Sequence, residues 1–166
     1  MEDERLVVGA ALGDCVHTAG VLNFLAAARR AGYRTEFLGP AIAVAQVVEA
    51  AATHRPALLA LSYRLTPEAA ERLFSQLREA LEAAGLAGQR LVFGGTPVVA
   101  EVAQRSGLFT TVFGGTGSPS AEEFLAGTGP AAAGQEWAQS LVERRRQLAP
   151  RPLLRHHFGL PDLAAT

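Results

Sequence analysis

Residues 6–28, LVVGAALGDCVHTAGVLNFLAAA, contain the clearest indication of the fold. It opens with an apolar run, Leu6 to Leu12, that is typical of a buried strand, and it closes with an apolar run, Val21 to Ala28, that is typical of a helix. The turn between the two runs contains one imidazole, that of His17. Open parallel sheets bind ligands outside the carboxyl ends of their strands. The turn is therefore a candidate binding site, and His17 is a candidate ligand or gate.

The same alternation of strand and helix continues along the chain. Apolar strand-like segments are predicted at 5–12, 34–38, 57–62, 90–93 and 111–113, and each is followed by a helix-like segment, at 18–31, 41–53, 67–84, 98–106 and 120–126. Five βα repeats predict a parallel sheet covered by helices on both faces. We therefore predict an α/β fold, Rossmann-like or flavodoxin-like, with a five-stranded parallel sheet.

Length and composition predict a single core domain. The 166 residues, of which 49% are hydrophobic, are enough for one sizeable core and too few for two. Residues 1–126 form the predicted binding domain, and residues 127–134, which are rich in Gly, Pro and Ala, are predicted to be a linker. Residues 135–166 are predicted to form a C-terminal helix and an extended tail.

Charge and residue usage exclude several classes of partner and of reaction. A net charge of -1 and a charged fraction of 19% give no reason to expect binding to nucleic acid or to a membrane. No apolar run approaches the ~20 residues of a membrane span, and one cysteine cannot form an internal disulfide. The polar N-terminus is unlike a signal peptide, so we expect a cytoplasmic protein. All 15 basic residues are arginines, which excludes a P-loop lysine and a lysine Schiff base.

Four loops follow the first, third, fourth and fifth predicted strands, and all four should converge on one rim of the sheet. Their glycines would let a ligand approach the backbone, and their polar groups would supply directional hydrogen bonds. The candidate site residues are Asp14, Cys15, His17, Thr18 and Gly20 in the first loop, Ser62, Tyr63, Leu65 and Thr66 in the second, Gly94 and Gly95 in the third, and Phe113, Gly114, Gly115 and Thr116 in the fourth.

This pattern resembles the cobalamin-binding domain shared by adenosylcobalamin-dependent mutases and methionine-synthase-type corrinoid proteins. That family carries Asp-x-His-x-x-Gly after strand one, a Ser-x-Leu-type segment after strand three, Gly-Gly after strand four and a glycine-threonine loop after strand five. The matching residues here are His17 to Gly20, Ser62 with Thr66-Pro67, Gly94-Gly95 and Gly115-Thr116. The resemblance covers Arg5 to about Ala126.

The resemblance implies a cofactor and a role for several residues. The cofactor is cobalamin, with adenosylcobalamin expected before methylcobalamin, and its nucleotide tail would thread between strands one and three. His17 would replace the benzimidazole base as lower axial ligand of the cobalt, a role that suits a neutral imidazole. The implied tail contacts are Ser62 and Thr66, and the implied tail-lining residues are Gly94, Gly95, Gly115 and Thr116.

The first loop departs from the family pattern at one position. The family's aspartate stands two residues before its histidine and hydrogen-bonds the far ring nitrogen, as an outer partner of a metal ligand does. Cys15 occupies that position here, and Asp14 is one residue further away. Either the turn lets Asp14 reach His17, or Cys15, a weak hydrogen-bond partner, takes the place of the aspartate.

No acid–base set for substrate chemistry stands out in the core, so no catalytic residue is assigned. The resemblance implies the cobalamin-binding component of a mutase, an isomerase whose substrate lies on a partner barrel. Methyl-transfer members usually carry an N-terminal helical cap, whereas the first predicted strand starts within a few residues of Met1. A cobalamin-dependent regulatory or carrier protein and a methyl-transfer corrinoid protein remain alternatives. A flavodoxin-like response or flavin module is disfavoured, because the His17 loop replaces a phosphate loop.

Overall fold

Five strands and five helices alternate along the described part of the chain. The computed structural model describes residues 3–115 and 117–128. The strands are β1 (Asp3–Leu12), β2 (Arg34–Ile42), β3 (Pro56–Tyr63), β4 (Leu91–Gly95) and β5 (Thr111–Phe113). The helices are α1 (Ala19–Arg30), α2 (Val44–His54), α3 (Pro67–Ala83), α4 (Pro97–Ser106) and α5 (Ala121–Thr128).

The strands form one parallel sheet in the order β2-β1-β3-β4-β5. This is the flavodoxin-like order, so the predicted fold class is confirmed. The direction of strand addition reverses between β1 and β3, because β2 lies on one side of β1 and all later strands lie on the other. The carboxyl ends of strands at such a switch point border a crevice.

Alternating side chains of the strands supply two separate cores, one on each face of the sheet. Val7 and Leu58 pack with the buried residues of α1 and α5, whereas their neighbours Val8 and Leu59 pack with those of α2, α3 and α4. Successive side chains of a strand point to opposite faces, so the position of each residue within its strand fixes its environment.

Local signals set the start of two helices. The hydroxyl oxygen of Thr66 accepts a hydrogen bond from the Ala69 N–H at 3.3 Å, and Pro67 occupies the first turn of α3. Before α5, Ser120 and Glu123 form a reciprocal capping box, with N–H to side-chain oxygen distances of 2.7 and 3.1 Å.

Strand β2 continues beyond its predicted end at residue 38. Gly39 has φ +124° and Ala41 has φ +52°, so the strand bends and its register with β1 shifts, yet it still pairs Ile42 with Leu12. This extension has no periodic signal in the sequence, because irregular pairing hides the alternation on which a strand prediction rests.

The bent end of β2 is hydrogen-bonded to the turn that follows β1. The Gly13 N–H donates to the Ile42 carbonyl at 2.8 Å, and the Ala41 N–H donates to the Cys15 carbonyl at 3.0 Å. The backbone of the turn before His17 is therefore fixed by β2.

The C-terminal predictions fall mostly outside the described residues. Helix α5 continues to Thr128, so it takes in the first two residues of the predicted linker at 127–134. The predicted C-terminal helix and tail, 135–166, lie outside the described residues. Among the helices that are described, none combines the length and the apolar character that crossing a bilayer requires.

Gly9 sets the approach of α1 to the sheet, and its replacement should weaken the fold. A Cβ added at Gly9 would lie 2.8 Å from Leu25 Cδ1 and 3.0 Å from Val21 Cγ2. We predict that Gly9→Ala lowers the free energy of unfolding by about 1–3 kcal/mol, measured by urea denaturation. Gly88→Ala is the control, since an added Cβ there meets nothing within 4 Å. Equal stability of the two variants would contradict the packing described here.

Candidate functional site

A cleft of about 590 Å³ lies on the face of the sheet that carries α1 and α5, and we call it the α1–α5 cleft. It follows α1 over the eleven residues from Gly20 to Arg30, which is ~15 Å of helix. Both helices form its walls. Its floor is made by residues of β3, β4 and β5, namely Ala60, Ser62, Val92, Gly94 and Phe113.

The sheet register brings Ser62 and Gly94 together on this floor. They are direct partners in the β3–β4 pairing, and both face α1 and α5. Ser62 is only 4% exposed, so its hydroxyl is a buried polar group beside the cleft. Such a group favours a ligand or a backbone partner that accepts or donates a hydrogen bond.

The two glycines at the end of β4 have different surroundings. A Cβ added at Gly94 meets nothing within 4 Å, so this residue leaves open space in the cleft. A Cβ added at Gly95 would lie 2.7 Å from the Tyr63 carbonyl oxygen and 2.9 Å from the Phe93 ring. A side chain at Gly94 would therefore enter the cleft, whereas a side chain at Gly95 would collide with packed atoms of the opposite face.

The loop after β5 is closed by its own hydrogen bonds. The Gly115 N–H donates to the Ser118 hydroxyl at 3.1 Å, and this hydroxyl donates to the Gly115 carbonyl at 2.8 Å. Gly114 has φ +97°, and a Cβ there would overlap the Gly95 carbonyl oxygen. The backbone of Gly114 thus packs directly on the end of β4, at the mouth of the cleft.

His17 stands at the mouth with an exposed side chain. Its backbone carbonyl accepts a long hydrogen bond, 3.5 Å, from the Ser62 hydroxyl. The buried Cys15 sulfur lies 3.8 Å from His17 Nδ1, and the Nε2 atom has no partner within the described part of the chain. When Nδ1 carries the ring proton, the Nε2 lone pair is free to bind a metal.

Asp14 is engaged on the other side of the turn. Tyr63 is fully buried in the core below α3, and its hydroxyl is near enough to Asp14 and Thr66 for both to affect its pKa. Burial raises the pKa of Tyr63 above its ordinary value, the charge and the hydrogen bond of Asp14 add to the rise, and the hydrogen bonds from Thr66 oppose it. Of the two arrangements left open by the sequence, the structure therefore has Cys15, and not Asp14, beside the imidazole.

The far part of the cleft is apolar and is bridged by an ion pair. Phe24 and Phe113 pack with ring centroids 5.5 Å apart, and Phe124 of α5 packs against both. Arg30 and Glu122 connect the last turn of α1 to the first turn of α5 at 3.4 Å. The cleft thus combines a polar mouth with an aromatic wall.

Seven of the predicted site residues line the cleft: His17, Gly20, Ser62, Gly94, Gly95, Phe113 and Gly114. Another seven do not line it, namely Asp14, Cys15, Thr18, Tyr63, Leu65, Thr66 and Gly115. Thr116 lies outside the described residues. Tyr63 packs on the opposite face and Thr66 caps the start of α3, both outside the cleft, and the tail contact expected of Thr66 stays a prediction.

The residues that form the walls of the cleft were not predicted from the sequence. Val21, Asn23, Phe24, Ala26 and Arg30 of α1 and Pro119, Ala121 and Glu122 near α5 all line it. Apolar residues at helical spacing predict packing on a sheet, and nothing in that spacing separates a cleft wall from a core contact. The expected path of a tail between β1 and β3 stays a prediction; these strands are hydrogen-bonded neighbours, and the cleft lies on the sheet face over β3, β4 and β5.

Large apolar side chains are exposed around the mouth. Val16 is 64% exposed and Val98 is 57% exposed, and Leu22 and Leu65 are the other exposed large apolar side chains in the described residues. All four lie at the carboxyl edge of the sheet, in the loops after β1 and β3 or in the first turns of α1 and α4. An apolar rim of this kind marks a surface that contacts a ligand or a partner.

The described residues hold no cluster of three or more His, Cys, Asp or Glu side chains that could bind a metal by themselves. A metal at the mouth would therefore take at most two such ligands from this part of the chain, and the rest of its coordination would come from another molecule.

Comparison with known proteins agrees with this geometry. The family model of the B12 binding domain matches residues 5–125, which is most of the chain. The chain belongs to the B12-binding domain family. No curated protein sequence matches it.

Two solved structures are similar to this B12-binding domain. A novel cobalamin-binding protein from Desulfitobacterium hafniense DCB-2 is 26% identical, with a TM-score of 0.61, and the match covers 72% of this chain and 55% of that one. The Methanosarcina barkeri monomethylamine corrinoid protein is 20% identical, with a TM-score of 0.58, covering 86% of this chain and 58% of that one. The chain thus spans little more than half the length of either structure.

The contrast between the two β4 glycines predicts opposite effects on stability. Gly94→Val should leave the free energy of unfolding within about 0.5 kcal/mol of the original chain, because the new side chain enters open space. Gly95→Val should lower it by about 1–3 kcal/mol or more, because the Tyr63 backbone cannot move away from the new Cβ. Urea denaturation of both variants measures the difference. Similar losses in the two would show that the space above Gly94 is not open.

Proposed function

We propose that this chain binds cobalamin with the nucleotide tail in the α1–α5 cleft and with His17 as the lower axial ligand of the cobalt. The open space above Gly94, in a cleft whose mouth carries an exposed imidazole, is the observation that carries this proposal. Membership of the B12-binding domain family supports the choice of ligand.

The chemistry of the cleft suits the tail of cobalamin. Its base is a flat, largely apolar ring system, and Phe24, Val92 and Phe113 offer apolar contacts along the cleft. The buried Ser62 hydroxyl, whose bond to the His17 carbonyl is long at 3.5 Å, can turn to donate to a ring nitrogen instead. Gly20 and Gly94 leave room at the entrance, where an added Cβ meets nothing within 4 Å. In the proposal, Gly114, Gly115 and Thr116 border the same tail from the loop after β5.

His17 is the one described side chain at the mouth with a nitrogen suited to cobalt. With Nδ1 turned to Cys15, Nε2 faces away from the thiol and can bind the metal. A neutral thiol raises the basicity of a metal-bound imidazole less than a carboxylate does. We therefore expect weaker cobalt ligation than in a protein whose aspartate reaches the ring.

The chain's own part is to bind and orient the cofactor. Bound cobalamin would supply a cleavable cobalt–carbon bond, and the chemistry of that bond belongs to the cofactor. We propose that a partner subunit or domain, a catalytic barrel, covers the apolar rim and holds the substrate. The finer assignment is the cobalamin-binding component of an adenosylcobalamin-dependent isomerase. The single cysteine suits a cytoplasmic location.

A carrier or sensor of cobalamin is the second candidate. The observation that favours it is Cys15 in the place beside Nδ1, because weak ligation suits a protein that releases its ligand or holds it with its own base. The partner that co-purifies with the full chain separates the roles. A catalytic barrel acting on an isomerase substrate supports the first, a methyltransferase indicates methyl transfer, and a DNA-binding or chaperone partner supports the second.

Cobalamin binding is directly testable by titration. Hydroxocobalamin is added to the full chain, and binding is measured by visible absorption. The Kd should be in the micromolar range or tighter, which corresponds to a binding free energy of about 8 kcal/mol. Gly94→Val should abolish this binding, since its side chain fills the tail space, while far-UV circular dichroism and stability remain those of the original chain. If the original chain retains no cobalamin in equilibrium dialysis, the proposed function is refuted.

The role of His17 has a spectroscopic test of its own. His17→Ala should still bind cobalamin through the tail, but the bound spectrum should change to a form without a lower nitrogen ligand. His54→Ala is the control, because this exposed imidazole ends α2, at the opposite end of the sheet. In the cobalt(II) form, electron paramagnetic resonance with ¹⁵N-labelled histidine should show coupling to a protein nitrogen. Coupling to benzimidazole nitrogen alone would exclude His17 as ligand and favour the carrier or sensor.

A further inference from the structure

Arg64 is a charged side chain at the mouth of the cleft to which the site described above gives no role. It directly follows the last residue of β3, it is exposed, and it lines the cleft together with His17 and Ser62. Its neighbour Tyr63 is buried on the opposite face of the sheet, so the chain turns outward at Arg64.

The charges that line the cleft are distributed unevenly. Arg30 is paired with Glu122 at the far end of α1, so these two charges largely compensate each other. Arg64, by contrast, forms no ion pair and no side-chain hydrogen bond with any residue in 3–115 or 117–128. The mouth of the cleft therefore carries an uncompensated positive charge.

Cobalamin carries one phosphodiester, and this group connects the corrin ring to the nucleotide tail. If the base lies in the cleft and the ring lies outside it, the phosphodiester must cross the mouth, where Arg64 stands. A guanidinium matches a phosphate in charge and in the geometry of its paired N–H donors. We propose that Arg64 binds the phosphodiester of the nucleotide tail and so selects complete cobalamin over corrinoids that lack the nucleotide; this rests on the proposed function.

The test compares two ligands and four proteins. The ligands are hydroxocobalamin and diaquacobinamide, which lacks the phosphodiester and the base. The proteins are the full original chain, Arg64→Met, Arg64→Lys and the control Arg90→Met, which removes the same charge at the opposite end of β4. Affinities come from visible absorption titrations at low and at high salt.

Arg64→Met should weaken cobalamin binding about tenfold and leave cobinamide binding unchanged, since one charged contact to phosphate is lost. Arg64→Lys should lie between Arg64→Met and the original chain, because the charge remains and the paired geometry is lost. Arg90→Met should bind both ligands as the original chain does. Added salt should weaken cobalamin binding more in the original chain than in Arg64→Met, because ions screen an exposed contact.

Equal effects of Arg64→Met on both ligands, or no effect on cobalamin, would overturn the assignment of Arg64. If the original chain binds cobalamin and Gly94→Val does not, such a result would refute only the role of Arg64. If the original chain retains no cobalamin, or Gly94→Val binds it normally, the tail is not in the cleft and both proposals fail.

Discussion

The parallel pairing of β1 with β3 is the constraint on which the site depends. Its register runs from Val7 opposite Leu58 to Ala11 opposite Ser62, so the two strands end at nearly the same level. The turn after β1 then lies over the end of β3, and the Ser62 hydroxyl can reach the His17 carbonyl. Because β3 also pairs with β4, the same register places Gly94 beside Ser62. One set of backbone hydrogen bonds therefore brings three loops to a single mouth.

The turn that carries His17 is held from the edge of the sheet. The Ala41 N–H at the bent end of β2 donates to the Cys15 carbonyl, and the Gly13 N–H donates to the Ile42 carbonyl. On the opposite face, Asp14 is near the buried phenol of Tyr63, whose pKa it raises. The thiol of Cys15, and not Asp14, is then the neighbour of the imidazole ring.

Sequence patterns predicted the elements well because each apolar run ends at a glycine, a proline or a capping residue. The patterns also predicted that the loops meet at one edge of the sheet, because the loops that follow parallel strands all lie at the carboxyl ends of those strands. Strand alternation could also have separated Gly94 from Gly95 and Ser62 from Tyr63, because neighbours in a strand face opposite sides. The role of Phe24 could not be predicted, since a cleft wall and a core contact need the same apolar residue. The partner of His17 could not be predicted either, because it depends on a bend in β2 that is distant in the sequence.

The two faces of the sheet differ in their roles, since one is mainly a packed core and the other carries the cleft. The large aromatic and aliphatic core below α2, α3 and α4 contains Phe74 and Phe93, packed edge to face at 5.0 Å, and only Leu61 and Phe93 of its described buried residues also border the cleft. The α1–α5 face carries the cleft, and several of its lining residues, such as Asn23 and Ala26, bear little of the packing. Mutational drift on that face can therefore alter which occupant fits while the opposite face preserves the scaffold. The architecture is evolvable at such positions because they shape the cleft without contributing to the core.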